Sequence, residues 1–386
     1  MDQLVPSAPR SLRLRAAAVM EDHWRAAGYT SPNLTTYPWQ WLWDSCFHAL
    51  VWSALGRPER SLAELDAALA PIDADGFVPH MRYQSDPTVR ATFWGRTGTS
   101  SITQPPMFGH ALAELHRGGV DLPAVLLERA TAAFRFLLER RDRTDGLVAV
   151  VHPWETGCDD SPRWDHWSTG PYDRTSFRKV KGDLVTTIRR TGAGAPVGND
   201  AFGPGSVGFN ALLAFNAREL AAVTGDPWLA EAAATLVTTI EQRWDGARTT
   251  WVDTGPHEWG SGRTRTADSL LPVLVVDDHE AVEAAFATLA DPCALGGRWG
   301  PAGVDRREPT YDPDEYWRGP CWPQLAYLLW LAARRRHRRR DGDRLAATTI
   351  AGAEASGLAE YWNPDTGAGL GAIPQSWAAL VLLMAD

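Results

Sequence analysis

Apolar residues recur with helical period over most of the chain, at 9–27, 42–55, 59–70, 105–117, 122–142, 205–224, 228–244, 267–274, 279–290, 319–335, 342–356 and 373–384. Spacings of three and four place one apolar stripe on each helix and leave the other face polar. Neighbouring stretches are parted by Gly56-Arg57-Pro58, Gly118-Gly119 and Thr224-Gly225-Asp226-Pro227, where Gly stops one helix and Asp or Pro starts the next. About twelve helices in antiparallel pairs are predicted. Strand-like alternation is brief, at Leu147–Val151 and Thr250–Val252. Alternate junctions are long, at 71–104, 143–204, 245–266 and 291–318, and they carry most of the Trp, Gly, Pro and acidic residues. A ring of helical hairpins with its long loops gathered at one end fits this pattern. Such loops form a cup, the usual seat of a small polar ligand. With no short repeat and no Pro- or Ser-rich linker, the reading is one all-α domain over 1–386.

Composition narrows the function. Hydrophobic residues at 44% and charged ones at 22% are enough for a sizeable core. A net charge of −9 argues against a nucleic-acid partner, which needs a basic face. The basic run Arg334-Arg335-Arg336-His337-Arg338-Arg339-Arg340 follows an apolar stretch, so it reads as a solvated helix C-terminus, where cations suit the dipole. Cys46, Cys158, Cys293 and Cys321 have neither metal-ligand nor disulfide-framework spacing. The first twenty residues lack the apolar core of a secretory signal, and no window is long and apolar enough for a membrane span. The expectation is a cytoplasmic protein without membrane contact. The Asp159-Asp160 pair invites a Mg²⁺ reading, but no second acidic cluster accompanies it, so no metal and no cofactor are expected.

Nineteen tryptophans is a high count, and many sit beside Gly, Pro and acids instead of in helical stripes: Trp39, Trp41, Trp43, Trp94, Trp154, Trp164, Trp167, Trp317 and Trp322. Loop tryptophans next to carboxylates suit a sugar-binding surface, because indoles cover the apolar faces of a pyranose. Two carboxylate segments stand out within this aromatic setting. The first is Trp154-Glu155-Thr156-Gly157-Cys158-Asp159-Asp160-Ser161-Pro162-Arg163-Trp164, and the second is Glu360-Tyr361-Trp362-Asn363-Pro364-Asp365-Thr366-Gly367. Glycoside hydrolysis needs such a pair, one carboxyl to protonate the leaving oxygen and one to activate water. In the first segment Glu155, Asp159 and Asp160 compete for one role; adjacent Asp side chains point opposite ways in extended chain. If both stood close to substrate, mutual repulsion would raise the pKa of one, as a proton donor requires.

Three further segments supply candidate walls. Trp41-Leu42-Trp43-Asp44-Ser45 opens a helix, where Asp44 or Ser45 is either a cap or, for Asp44, an acceptor for sugar hydroxyls. Tyr316-Trp317-Arg318-Gly319-Pro320-Cys321-Trp322-Pro323 enters a helix through Pro323; Gly319 permits close backbone approach, and Tyr316 and Trp322 are natural pocket walls. Gly367-Ala368-Gly369-Leu370-Gly371 has no Lys-Ser/Thr for a phosphate loop and instead permits a tight bend that brings Glu360 and Gln375 to one cavity.

Together these motifs resemble glycoside hydrolase family 63 of the trehalase-like clan. Glu155-Thr156-Gly157-Cys158-Asp159 looks like its Glu-Ser-Gly-x-Asp motif, and the segments at 41–45, Gln104-Pro105-Pro106, 316–323, Glu360-Tyr361 and Thr366-Gly367 follow in the family's order over about 37–380. Within the family, the short bacterial enzymes acting on glucosylglycerate and mannosylglycerate are the nearest fit. The resemblance implies an (α/α)6 barrel and an inverting α-glycosidase, with Asp159 as general acid and Glu360 as general base. It also implies sugar- and glycerate-contacting roles for Trp41, Asp44, Gln104, Tyr316, Trp322 and Gln375, with Trp317, Arg318 and Gly319 in the same motif. Cys158 and Asp160 stand where relatives often have Met and Asn. Arg82, Arg163, Arg189, Arg190 and Arg318 are all candidates to hold a glycerate carboxylate. A small-molecule carbohydrate, glucosylglycerate first, is therefore the expected partner; a trehalase-like disaccharide hydrolase and a catalytically silent sugar-binding homologue are the alternatives.

Overall fold

Fully buried helices alternate along the chain with helices buried on one side, and this alternation builds the architecture. The computed structural model describes residues 10–167, 170–255 and 260–385. Its α-helices run Arg10–His23 (α1), Leu42–Ala54 (α2), Pro58–Leu69 (α3), Ala91–Trp94 (α4), Phe108–Arg117 (α5), Ala124–Arg135 (α6), Arg174–Leu184 (α7), Val207–Thr224 (α8), Pro227–Glu241 (α9), His279–Ala290 (α10), Pro323–Arg335 (α11) and Arg339–Ala355 (α12). In α2 every residue from Leu42 to Trp52 is buried, and α8 is buried nearly throughout. Helices apolar on all sides belong inside. They form an inner ring: α2 packs on α5, α5 on α8, α8 on the 3₁₀ segment Asp268–Leu274, that segment on α11, α11 on the 3₁₀ segment Ser376–Leu382, and this last on α2. The ring closes on itself.

Most of the remaining long helices lie outside. α3 packs on α2, α9 on α8, α12 on α11 and α10 on Asp268–Leu274, while α1 covers Ser376–Leu382 and so joins the two ends of the chain. Among the described residues this is the predicted (α/α)6 ring, with strands confined to two-stranded hairpins such as Arg143–Thr144 with Leu147–Val148 and Trp244–Asp245 with Thr250–Trp251.

Several local expectations are corrected. The inner segments at 268–274 and 376–382 wind as 3₁₀ helix, the first around an internal Pro272 that has no N–H for an α-helical bond. The stretch 122–142 is α6 followed by a π-helical turn, Phe136–Arg140. The junction 143–204, expected to be irregular, contains α7, started by Asp173 accepting from the Ser176 N–H. Neither Asp44 nor Ser45 caps α2: Gln104 Oε1 accepts from the Trp43 N–H, and the Leu42 N–H donates to the His80 carbonyl.

The basic heptamer ends α11 as expected, but three of its arginines make specific contacts instead of standing free in solvent. Arg335 pairs with Glu114 and Glu219, Arg336 donates to the Val273 and Val276 carbonyls, and Arg338 pairs with Glu283 and Asp341. These contacts knit α11 to its neighbours at the end of the ring remote from the cup.

Candidate active site

The cup lies over the N-terminal ends of inner helices, where the long junctions converge on a cavity of about 510 Å³. Asp159 and Glu360 both line it, with Trp41, Asp44, Gln104, Tyr316, Trp317 and Gln375 from the sequence prediction. Tyr37, His80, Trp154, Arg174, Arg178 and Lys181 line it as well.

Two backbone features aim the carboxylates. Gly157 has φ +75°, and a Cβ there would overlap the Trp43 ring, so glycine lets the Asp159 turn lie flat on α2's indole. Gly371 has φ +70°, and a Cβ there would overlap the Glu360 carboxylate. The hairpin Tyr361–Trp362 with Gly369–Leu370, the Glu360 N–H to Ala372 carbonyl bond (2.8 Å) and the Gln375 N–H to Leu358 carbonyl bond (2.8 Å) bring Glu360 and Gln375 to the same wall.

The three acids of the first segment are sorted by their partners. Glu155 is fully buried and spent on structure: it accepts from Arg141 and from the Thr103 and Val151 N–H groups. Asp160 is ion-paired with Lys181 and accepts from Tyr172 Oη at 2.9 Å. Asp159 has no ion-pair partner among the described residues; Tyr316 Oη donates to it at 3.3 Å. Burial pushes the Asp159 carboxyl up to about 7, with Lys181 opposing and the charges of Asp160 and Glu360 assisting. A carboxyl in that state is partly protonated at neutral pH and can donate its proton.

Glu360 is 3% exposed and accepts from Tyr37 Oη and the Ala372 N–H, both at 2.9 Å. Burial raises its pKa, while the Ala372 amide, the Tyr37 hydroxyl and the charge of Arg174 hold it down. It has two fixed donors and no directly bonded cation among the described residues, so it stays basic enough to polarise a water. Asp44, third residue of α2, is 3% exposed, and burial raises its carboxyl well above the ordinary range.

Aromatic rings make the floor. Trp317 lies parallel on Trp322 at 3.5 Å between centroids, and Trp322 on Tyr361 at 4.4 Å. Trp317 adopts φ +62°, a conformation rare for a bulky residue and often found where a site fixes its geometry. The Trp41 Nε1, Trp317 Nε1 and Gln375 Oε1 atoms are buried without a hydrogen-bond partner among the described residues. Unpaired polar atoms on cavity walls are the positions a polyhydroxylated ligand satisfies.

Three predicted positions stand behind the cavity. Trp322 is the buried middle of the aromatic stack. Arg318 pairs with Asp165 and stacks on Tyr172, its guanidinium 3.4 Å from the ring centroid. Gly319 gives clearance to the Asp312 carbonyl of its own loop. The other arginine candidates are engaged elsewhere: Arg163 with Asp253 and Asp268, Arg189 with Asp142 and Asp200, Arg190 with Ser101, and Arg82 with the Ala67 carbonyl. The cations that do face the cavity are Arg90, Arg174, Arg178 and Lys181. Sequence reading missed α7, although Arg174, Arg178 and Lys181 have i, i+4, i+7 spacing behind the Asp173 cap, which marks one helical face.

A model of the mannosylglycerate hydrolase MGH1-like glycoside hydrolase domain matches residues 37–378. The chain belongs to this family. It is 29% identical to a mannosylglycerate hydrolase of Thermus thermophilus, over 96% of this chain and 99% of that protein. It is 28% identical to the glucosylglycerate hydrolase of Mycolicibacterium hassiacum, over 97% of both. The crystal structure of a family 63 mannosylglycerate hydrolase from Thermus thermophilus with Tris and D-glycerate superposes with a TM-score of 0.82 at 26% identity, over 97% of this chain and 99% of that one. The protein is thus a glycoside hydrolase with the six-hairpin fold. Among the described residues no helix is long and apolar enough to cross a membrane.

Proposed function

We propose that the protein hydrolyses a small α-glucoside or α-mannoside of glycerate, with glucosylglycerate the first choice, and inverts the anomeric carbon. One observation carries the reading: Asp159 and Glu360 open onto one cavity, each without an ion-pair partner among the described residues, while Asp160 and Glu155 beside Asp159 are ion-paired. Asp159 donates its proton to the glycosidic oxygen. Glu360 removes a proton from water as that water attacks the anomeric carbon from the opposite face, and the C–O bond to the aglycone breaks. Asp44, Gln104, Gln375 and the Trp41 and Trp317 indoles hold the sugar. Arg174 and Arg178, exposed on α7 and facing the cavity without an ion-pair partner among the described residues, fit a carboxylate on the aglycone. The unpaired cysteines suit a cytoplasmic setting.

The band formed by Trp39, Tyr83, Phe93, Trp94 and Trp154 on the cavity wall favours a second reading, in which the aglycone is another sugar ring. Glucosylglycerate, mannosylglycerate, uncharged glucosylglycerol and trehalose should be compared by kcat/KM, with the released anomer followed by proton NMR. The glycerate reading expects glycerate glycosides to lead, the β-sugar to appear first, and Arg178→Ala to raise KM for them but not for glucosylglycerol. Trehalose leading would favour the second reading, and initial release of the α-sugar would rule out inversion.

A further inference from the structure

Asp159 and Asp160 are consecutive, and nothing in the covalent chain tells a proton which of them to occupy. The structure separates them by what surrounds Asp160. One of its oxygens is ion-paired with Lys181 and the other accepts from Tyr172 Oη at 2.9 Å. Lys181 is itself 4% exposed, flanked by the rings of Phe177 at 5.3 Å and Trp154 at 5.6 Å. Its backbone carbonyl bonds His152 Nε2 at 2.7 Å, which fixes this turn of α7 against the loop carrying Asp159. A lysine confined in this way has little freedom to leave Asp160.

We propose that the Asp160–Lys181 pair is a positioning pair for the general acid: it occupies Asp160 so that the proton at this turn stays on Asp159, the carboxyl that faces the substrate. The inference rests on Asp159 being that acid. Two carboxyls sharing a partly dry site hold one proton between them. With Lys181 in place, both Asp160 oxygens already have partners, the ammonium on one and the Tyr172 hydroxyl on the other. Lys181 and Asp160 also act on Asp159 with opposite signs.

The other charged or titratable groups that face Asp159 come from separate elements: Tyr316 from the loop before α11, Glu360 from the hairpin segment, Tyr37 from the segment before α2, and Asp44 from α2 itself. His152, the imidazole beside Lys181, is pushed down to about 3 by burial and adds no charge near neutrality.

The test is the alkaline limb of the kcat/KM profile on glucosylglycerate, which reports loss of the acid's proton. Lys181→Met should move this limb up while lowering the plateau rate, because the two carboxyls then share the proton, and Asp160→Asn should move it down, each by about 1 pH unit. The double variant, in which neither charge remains, should lie between the two single variants. A merely structural pair would lower activity or Tm without opposite displacements, so shifts of one sign, or none, in folded variants would overturn the proposal. Should Lys181→Met fail to fold, Asp160→Asn against the double variant isolates the same lysine effect. Asp159→Asn on a dinitrophenyl α-glucoside, whose leaving group needs no proton, separates the underlying assignment: restored turnover identifies Asp159 as the acid, and its absence would remove the basis of both readings.

Discussion

Two buried acidic clusters sit at opposite ends of the same ring of helices, and they are held in opposite states. At the end remote from the cup, Glu219 on α8 is 5% exposed and meets Arg335, Arg117 and His110. Burial alone would raise its pKa, but hydrogen bonds from those three groups hold it far below the ordinary carboxylate range. With Glu114 within reach this could be mistaken for a metal site, yet the two arginines already supply the positive charge. At the cup end, Glu360 is as deeply enclosed and Asp159 is half-buried; both receive hydroxyl or amide donors instead of guanidinium groups, and both are raised. Glu219 and Glu360 share their depth and differ in their partners. The partner decides whether a buried acid becomes a tether or a reagent.

The sharpest way to break this comparison is to remove the carboxyl charge at each end. Asp159→Asn and Glu360→Gln should each lower kcat by roughly 10²–10⁴-fold or more without lowering Tm, since neither carboxylate is tied to a cation. Full activity in either would end that residue's role. A second difference should appear with pH. As the proposed acid, Asp159 would work protonated, so kcat/KM should fall about tenfold per unit above about pH 7, as the pH passes its pKa. As the proposed base, Glu360 would work ionised, so the acid limb should lie higher than for an ordinary glutamate. A profile flat from pH 6 to pH 9 would contradict the state assigned to Asp159.

Glu219→Gln should do the reverse of the cup variants, costing about 2 kcal/mol of stability while leaving turnover per folded molecule intact. Denaturant titration and active-site-normalised rates would tell; unchanged stability would mean the remote cluster is not a tether. A further difference, visible only on acidification, concerns the imidazoles of His48, His80 and His152, each fully or nearly fully enclosed and pushed down to about 3 by burial. Their unfolded forms bind protons near pH 6.5, so between about 6.5 and about 3 the unfolded chain takes up more protons than the folded one. Stability should be complete above pH 6.5 and decline as pH falls through that window. His80→Gln should flatten part of the slope. His48 follows the same rule although its Nδ1 lies 3.8 Å from Glu64: burial pushes the imidazole down and the carboxyl up, so it disfavours charge on both partners.

Much of the ring was legible because it rests on local rules. Pro58, Pro227 and Pro323 at first helical positions and Asp226 at a cap mark helix starts in the sequence and in the structure alike. Legibility failed where long-range packing took over. Gln104 capping α2 from sixty-one residues away, or the 3₁₀ winding of two inner segments, leaves no local mark. The loop tryptophans divide similarly: Trp39, Trp41, Trp43, Trp94, Trp154 and Trp317 line the cavity, whereas Trp164 and Trp322 are core. Composition around each is alike; only their neighbours in space differ.

By itself, the amino-acid sequence determined the hairpin alternation, the positions of the long loops and the two carboxylate segments, because helix period, caps and glycine turns act over a few residues. Tertiary structure alone decided which acid at 155, 159 and 160 remained without a cation, which arginines faced the cavity, and which tryptophans became walls. Charge state and exposure depend on groups brought from distant parts of the chain, and no short-range rule encodes that meeting.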